Sequence, residues 1–180
     1  CSNCNGIGTL YKVNQNKIIP DDSISIKSGG LAPQGPQKNS WIFKQLELIA
    51  QRFNFDLNDP IRKIPKDALE MILYGGNDKF SVESKTLGVT RNYNIDFEGI
   101  ANFIESQYHN SDSSSIKRWA KAYMDKVTCP ECNGSRLKKE SLFFKINSKS
   151  IADLANLDIL ELSKWFKNLE LKLSKRQLKI

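Results

Sequence analysis

The sequence predicts an α+β fold in which a base built from two cysteine pairs carries an inserted domain of mixed helices and short strands. The four cysteines form two Cys-x-x-Cys pairs, at residues 1–4 and 129–132. Between and after these pairs, some segments repeat apolar residues at helical spacing, and shorter ones alternate or are rich in β-branched residues. We therefore predict three regions: a first cysteine knuckle at residues 1–8, an insertion at 9–128, and a second knuckle with part of a further domain at 129–180.

The first elements of the predicted insertion are two short strands, at Leu10–Val13 and Ser23–Ile26, because these stretches alternate or contain β-branched residues. A loop rich in proline and glycine, Ala32–Asn39, follows. A core-facing helix is predicted from Asn39 or Ser40 to about Arg52, since its apolar residues recur at three and four positions: Ile42, Leu46, Ile49 and Phe53.

A short helix is predicted at Asp67–Leu73, with Pro65 in its first turn and Gly75-Gly76 as its end. The segment Lys79–Phe97 combines threonine and valine with turn residues and is interpreted as a hairpin. A helix at Gly99–Tyr108 is then predicted to bury one apolar face, formed by Ile100, Phe103 and Ile104.

The clearest helical pattern follows a polar linker at Asn110–Ser114. Ser115 is predicted to cap this helix, which continues to Val127. Its apolar residues are Ile116, Trp119, Ala120, Tyr123, Met124 and Val127, and its opposite face carries Lys117, Arg118, Lys121 and Lys126.

Two elements are predicted after the second knuckle. The first is a strand at Ser141–Ile146. The second is a helix that begins with a capping box formed by Asp158 and Glu161. We expect this helix to bury Ile159, Leu162, Phe166 and Leu169.

Composition narrows the function classes. The chain has 180 residues, 39% of them apolar, and a formal charge of +7. No segment approaches the roughly 20 apolar residues of a membrane span, so no membrane association is predicted. Residues 1–111 carry 12 basic and 12 acidic side chains, whereas residues 112–180 carry 15 and 8. The sequence opens without a methionine or a signal peptide, and we interpret it as a fragment of a cytoplasmic protein.

The two knuckles share the pattern Cys-x-x-Cys-x-Gly-x-Gly/Arg, which begins at Cys1 and at Cys129. Two sulfurs three residues apart can reach one metal from a tight turn, and the following glycine lets the backbone fold beneath the ion. Two such half-sites complete a tetrahedron. The sequence therefore predicts one structural zinc ion, bound by Cys1, Cys4, Cys129 and Cys132, and a net charge nearer +5 with zinc bound.

Other interpretations of the cysteines are a redox pair or incidental thiols. A thioredoxin-like motif has one Cys-x-x-Cys that opens a helix after a strand, whereas here two pairs each continue into glycines. A thiol oxidoreductase would need activity that zinc abolishes and chelation restores.

Basic residues near the second knuckle are candidate phosphate contacts. We expect one positive surface that binds DNA through Lys117, Arg118, Lys121, Arg136, Lys138 and Lys139. The alternative is a solvated helix face without a ligand.

No catalytic set is visible. His109 is the only histidine, which excludes Ser-His, Cys-His and histidine–metal arrangements. The glycine pairs at 29–30 and 75–76 are not followed by the Gly-Lys-Ser/Thr of a phosphate loop. The sequence thus encodes neither catalysis nor nucleotide binding.

Several segments resemble the UvrA family, the damage-recognising ATPase subunits of bacterial nucleotide excision repair. The resemblance runs over nearly the whole chain and is most specific in the block that begins at Cys129. It rests on Cys-Ser-Asn-Cys-Asn-Gly-Ile-Gly at residues 1–8, Ser-Ile-Lys-Ser-Gly-Gly at 25–30, Leu-Tyr-Gly at 73–75, Phe-Glu-Gly-Ile at 97–100, Ala-Tyr-Met at 122–124 and Cys-Pro-Glu-Cys-Asn-Gly-Ser-Arg-Leu-Lys-Lys-Glu-Ser-Leu at 129–142.

The resemblance implies that this chain is the insertion domain of such an ATPase, with the flanking knuckles and part of the signature domain. It implies a dimeric parent protein that binds ATP, touches duplex and damaged DNA, and loads a helicase partner, UvrB. The Walker motifs, the Leu-Ser-Gly-Gly signature and the UvrB-binding domain are not in this sequence, so no enzymatic activity is expected of the chain.

The sequence leaves one alternative from a different class. Cys-x-x-Cys-x-Gly-x-Gly knuckles also resemble the zinc region of DnaJ co-chaperones, which would favour a protein-interaction or gating module without direct DNA contact. Four closely spaced repeats are expected there, and this chain has two.

Overall fold

The computed structural model describes residues 1–76, 80–86, 89–95 and 97–174, with residues 80–95 described by their backbone alone. The chain divides into two compact units. We call Cys1–Leu10 with Lys126–Ile180 the knuckle unit, and Tyr11–Asp125 the central unit. Among the described residues, no helix has the length and apolar character needed to cross a membrane.

The central unit is mainly helical. Its first and last strands, β1 and β4, pair with each other, and the division between the units falls within both. The elements from β1 to β4 are β1 Thr9–Val13, α1 Gln15–Ile18, α2 Trp41–Phe53, α3 Lys66–Tyr74, β2 Phe80–Thr86, β3 Val89–Ile95, α4 Ile100–Asn110, α5 Ser114–Ala122 and β4 Met124–Thr128, with a 3-10 turn at Ile61–Lys63.

The core of the central unit lies among α2, α3, α4 and α5, which pack in chain order. Helices α2 and α4 bury the faces that their spacing predicts, although Phe103 stays partly exposed. The large side chains with almost no solvent exposure are Ile18, Ile26, Leu31, Leu46, Ile49, Ile61, Ile72, Ile100 and Ile104. Each such aliphatic side chain contributes about 1.5–3 kcal/mol through burial.

The described residues of the knuckle unit form little apolar core of their own. Its buried hydrophobic residues are Cys4, Cys129, Cys132 and Leu154. Its elements after β4 are β5 Lys145–Ile146, β6 Lys149–Ser150, α6 Ile151–Ala155 and α7 Ile159–Lys167, with 3-10 turns at Lys139–Leu142 and Glu170–Lys172. The cysteines are therefore the main candidates for holding this unit together.

The strand predicted at Ser23–Ile26 is wrong. These residues form turns, and Ser25 alone makes an isolated bridge, to Pro60. The Asp21 carboxylate accepts hydrogen bonds from the Ser23 backbone N–H (2.8 Å) and hydroxyl (2.6 Å). Such local side-chain bonds favour turns over strand pairing. Helix α1 is absent from the sequence prediction.

The helix predicted to reach Val127 ends at Ala122, and Met124–Thr128 is strand β4. Its cap is Ser113, whose hydroxyl accepts from the Ile116 N–H at 3.5 Å, and not Ser115. The backbone N–H of Asn14 donates to Tyr123 O at 2.9 Å. The apolar residues at 124 and 127 have a spacing that also fits a helix, but pairing with β1 makes this segment a strand.

Two predictions in the knuckle unit need correction. Within the predicted strand Ser141–Ile146, only Lys145–Ile146 is strand, because the first two residues end a 3-10 turn at Lys139–Leu142. Helix α7 forms, and Asp158 accepts from the Glu161 N–H at 2.8 Å, but Ile159 is 86% exposed and Phe166 is 55% exposed. A reciprocal capping box is instead found at Ser150 and Asp153.

The predicted hairpin is confirmed. Strands β2 and β3 pair antiparallel from Phe80 with Ile95 to Thr86 with Val89. Residues 79, 87–88 and 96 of that prediction lie outside the described residues. The mix of helices with short two-stranded sheets also confirms the α+β class.

Candidate metal centre and nucleic-acid interface

The structure brings the four cysteines of the knuckle unit into one cluster. The sulfurs of Cys1, Cys4, Cys129 and Cys132 all lie within 4.8 Å of one another. The Sγ atoms of Cys1 and Cys129 are 3.8 Å apart, and those of Cys4 and Cys132 are 3.7 Å apart. Three of the cysteines are buried and Cys1 is half-buried. The cluster could hold a metal ion.

The two knuckles have matching backbones. After the second cysteine, Asn5 and Asn133 take φ of 48° and 47°, and Gly6 and Gly134 take φ of 76° and 83°. The turns are closed by N–H groups of Ile7 and Ser135, which donate to Cys4 O and Cys132 O, each at 2.9 Å. Asparagine and glycine tolerate this left-handed region best, which explains the shared Cys-Asn-Gly sequence.

The last matching position holds glycine in one knuckle and arginine in the other. Gly8 has φ 83° and Arg136 has φ 68°. The backbone N–H of Gly8 donates to Cys4 Sγ at 3.2 Å. A Cβ at Gly8 would lie 3.0 Å from Arg136 Cγ and 3.1 Å from Gly134 O. The Arg136 side chain thus packs over Gly8. The backbone of Arg136 takes the same left-handed conformation as that of Gly8, so it completes the second knuckle.

Hydrogen bonds to the sulfurs oppose the effect of burial on their protonation. Burial raises the pKa of Cys4, but the N–H of Gly8 and the sulfurs of Cys132 and Cys129 outweigh it, so the pKa lies below its ordinary value. For Cys132, burial is the largest effect and the pKa is raised, although N–H groups of Arg136 and Gly134 act against it. Of these two thiols, Cys4 therefore loses its proton more readily than Cys132.

The predicted basic residues of α5 are exposed. Lys117, Arg118 and Lys121 all face solvent in the central unit. Lys121 has a defined neighbour, because its Nζ lies 4.4 Å from the centroid of the Tyr11 ring. Lys126, which was expected on the same helix, is exposed on β4.

The remaining predicted contacts lie in the knuckle unit. Arg136, Lys138 and Lys139 are exposed there, just after the second knuckle. Because the two basic groups belong to different units, the expected single positive surface stays a prediction.

Comparison with known proteins decides the family. A sequence model described as the UvrA DNA-binding domain matches residues 15–122, more than half of the chain. The chain belongs to the UvrA family. The resemblance seen in the sequence is thereby confirmed.

Curated relatives extend the match over both units. The UvrABC system protein A of Listeria innocua is 35% identical over 173 residues, which is 95% of this chain and 18% of the relative. The protein of the same name from Clostridium perfringens is 32% identical over 164 residues, or 89% of this chain and 18% of the relative. The chain therefore spans about a fifth of the length of these UvrA proteins.

A solved structure has the same fold. The crystal structure of UvrA2 from Deinococcus radiodurans matches with a TM-score of 0.67 at 22% identity, over 93% of this chain and 22% of that chain.

Sequence reasoning missed the residue beside Lys121 in this UvrA-family chain. Tyr11 is 110 positions away and lies on β1, so no spacing rule connects the two. The pairing of β1 with β4 was the missing information. The same holds for Asp125, whose carboxylate meets Lys17 Nζ at 2.6 Å and also accepts from Asn14.

Proposed function

We propose that this chain is a DNA-binding module of an excision-repair ATPase, which contacts duplex DNA through phosphates and does not read base sequence. The observation that carries the proposal is the match of residues 15–122 to the UvrA DNA-binding domain. The exposed cations of α5 support it, because phosphate contacts need accessible positive charge. A module of this kind senses damage as altered deformability of the duplex.

We also propose that the cysteine cluster binds one zinc ion. Four thiolates at about 2.3 Å from a tetrahedral zinc ion lie about 3.8 Å from each other. The Sγ separations of Cys1–Cys129 and Cys4–Cys132, 3.8 and 3.7 Å, are close to this value. Four sulfur ligands leave no position for water, so the ion supplies folding energy and no chemistry.

Within the whole protein, the proposal places residues 9–128 as an insertion between two knuckles, and residues 129–180 as part of the signature domain. The parent is then a dimeric, cytoplasmic, ATP-binding protein that acts with UvrB in nucleotide excision repair. The names of the UvrABC relatives support the link to the UvrABC system, and the remaining parts of this assignment stay proposals.

The test is binding of the purified 180-residue chain to a fluorescent duplex, with and without a bulky lesion, across a salt series. We expect binding that weakens steeply with salt. Replacing Lys117, Arg118 and Lys121 by alanine is expected to lower affinity at low salt and reduce the salt slope by about 2–3, because each phosphate contact contributes about one unit. A second triple variant, at Arg136, Lys138 and Lys139, tests the knuckle unit separately.

The matched control removes the same charge elsewhere in the central unit. Lys44, Lys63 and Lys66 are exposed on other elements. Their triple alanine variant should keep most of the affinity. Equal losses in the α5 and control variants would show that only net charge matters, and no binding at low salt would refute DNA contact.

A protein-contact role is the second candidate, in line with the DnaJ-like interaction or gating module. The knuckle unit exposes several large apolar side chains, an arrangement typical of contact surfaces: Phe143, Phe144, Ile146, Ile159, Leu160, Phe166 and Leu171. Absence of DNA binding at low salt would favour this role.

A further inference from the structure

We infer that Tyr11 is a positioning residue that holds Lys121 as an ordered phosphate contact. The inference rests on the proposed function and deepens it, since it selects one of the six predicted cations and adds a residue with no charge. It concerns the central unit alone.

The contact geometry supports this assignment. The Lys121 ammonium lies over the Tyr11 ring at 4.4 Å from the centroid, within the range of a cation–π interaction. The Tyr11 ring is itself held against Tyr108, with centroids 5.7 Å apart and planes tilted by 56°. Both tyrosines pack on the buried core of the central unit. The exposed Lys121 side chain is thus placed by a half-buried ring that packs against the core.

Lys121 also keeps its charge in this setting. A side-chain hydrogen bond with Tyr11 is the main cause that raises the pKa of Lys121 above its ordinary value, and burial acts against it. The ammonium is therefore charged at every pH at which DNA binding is measured. Among the described residues, neither Lys117 nor Arg118 lies over an aromatic ring in this way.

A lysine side chain that is ordered before DNA binds should bind more tightly, because an unrestrained lysine loses much of its rotamer freedom when it contacts a phosphate. Tyr11 restricts that freedom in the unbound protein. The ring cannot itself neutralise a phosphate. Its removal should therefore weaken binding and leave the number of released counterions unchanged.

The experiment is a double-mutant cycle on duplex binding by the 180-residue chain. Lys121→Ala should lower the salt slope by about one. Tyr11→Leu should weaken binding about two- to fivefold, the range of an exposed cation–π contact, with an unchanged slope. In the Lys121→Ala background, Tyr11→Leu should have no further effect, since the interaction is already absent.

Tyr123→Leu is the matched control. Tyr123 is also half-buried and packs its ring against Trp119, with centroids 5.5 Å apart. The Tyr123→Leu substitution should not change DNA affinity. Circular dichroism and thermal melting check that each variant is folded.

Three outcomes would overturn the inference. They are an equal loss from Tyr11→Leu in both backgrounds, an equal loss from Tyr123→Leu, and a lower salt slope in Tyr11→Leu. Absence of binding by the unmodified chain at low salt would instead defeat the proposed function, and the inference with it.

A second measurement keeps the test open if Tyr11→Leu does not fold. In NMR spectra of the unmodified chain, the ring current of Tyr11 should shift the Lys121 Hε protons upfield relative to those of Lys117. Hε protons of Lys121 that resonate with those of Lys117 would contradict an ordered contact.

Discussion

Arg136 adopts a backbone conformation that favours glycine. Its φ of 68° matches the φ of 83° at Gly8, the equivalent position of the other knuckle. A side chain in the left-handed region costs about 1–2 kcal/mol. The N–H of Arg136 also helps to restrain the pKa of Cys132. The Cβ atom of Arg136 therefore strains the backbone at this position, and a glycine would not.

The first prediction is that Arg136→Gly raises the free energy of unfolding of the zinc-loaded chain. Relief of the left-handed strain exceeds the added entropy of glycine in the unfolded state, so the gain should be about 0.5–1 kcal/mol. Lys138→Gly is the control, since Lys138 has φ −71° and no strain to relieve. Urea denaturation measures both. An Arg136→Gly chain no more stable than Lys138→Gly would contradict the strain argument.

The second prediction concerns pH. The pKa of Asp125 lies below its ordinary value because Lys17 and Asn14 donate hydrogen bonds to the carboxylate. Unfolding removes these donors and raises the pKa to about 3.9. The carboxylate therefore stabilises the fold above about pH 4–5, and this contribution is lost as pH falls through the lower folded value.

The comparison of Asp125→Asn with the unmodified chain tests whether this contribution to stability is lost as pH falls. The variant should melt at a lower temperature at pH 7, and the difference should shrink as pH falls below about 4. Asp67→Asn serves as the control, because Asp67 is exposed on α3 and has no ion-pair partner among the described contacts. A difference in melting temperature that is constant from pH 7 to pH 3 would rule out the carboxylate as its source.

At the scale of elements, α3 and α4 meet at the base of the β2–β3 hairpin. Gly75 follows α3 with φ 77°, and Gly99 precedes α4 with φ 88°. A Cβ on Gly99 would lie 2.2 Å from Gly75 N, and one on Gly75 would lie 2.4 Å from Phe97 O. Asn102 Nδ2 donates to Tyr74 O at 2.7 Å and to Glu98 O at 3.2 Å, which fastens both chain segments.

The third prediction is that Gly99→Ala destabilises the chain far more than Gly35→Ala. Gly35 also has positive φ, 66°, but a Cβ there would meet nothing within 4 Å. Its replacement costs strain alone, about 1–2 kcal/mol, whereas Gly99→Ala adds a backbone clash of about 1–3 kcal/mol. Chemical denaturation measures both. Similar losses of unfolding free energy in the two variants would mean that the chain segments around Gly75 and Gly99 can move apart at little cost.

These elements also show what the sequence could predict. Helix α2 has a single face, with Leu46 and Ile49 buried, and so its spacing alone identified it. Met124 and Val127 fit both a helix and a strand, and only pairing with β1 decides for β4. At Ser23–Ile26, hydrogen bonds to Asp21 override β-branched composition. The cysteine spacing predicted one cluster correctly, because each Cys-x-x-Cys pair supplies only two of the four ligands of a zinc site and so predicts a second pair beside it. No comparable rule predicts the Tyr11–Lys121 contact, which depends on the tertiary fold.

On the scale of the whole molecule, the two units have different sources of stability. The central unit has a continuous aliphatic core with Leu46, Ile72 and Ile104 fully buried. The knuckle unit buries three cysteines and Leu154, and exposes Phe143 and Phe144. Since structural zinc sites contribute folding energy directly, we expect the proposed zinc ion to be the principal stabiliser of the knuckle unit.

The fourth prediction is that chelation unfolds the knuckle unit before the central unit. Zinc removal by a strong chelator at pH 7 should abolish amide protection in residues 126–174, and leave the central helices protected, because their burial does not depend on the metal. Cys129→Ser should act like the chelator. Elemental analysis should give about one zinc per chain before treatment and almost none after it.

Leu46→Ala provides the opposite perturbation. Leu46 is fully buried on α2, and its truncation should cost about 2–5 kcal/mol in the central unit while the zinc content stays at about one. Hydrogen exchange with mass spectrometry follows both units in one experiment. If chelation and Leu46→Ala each removed protection throughout the chain together, the two units would form one cooperative structure. If they acted separately, zinc would be a local stabiliser of the knuckle unit, and DNA binding through α5 would persist in the metal-free protein.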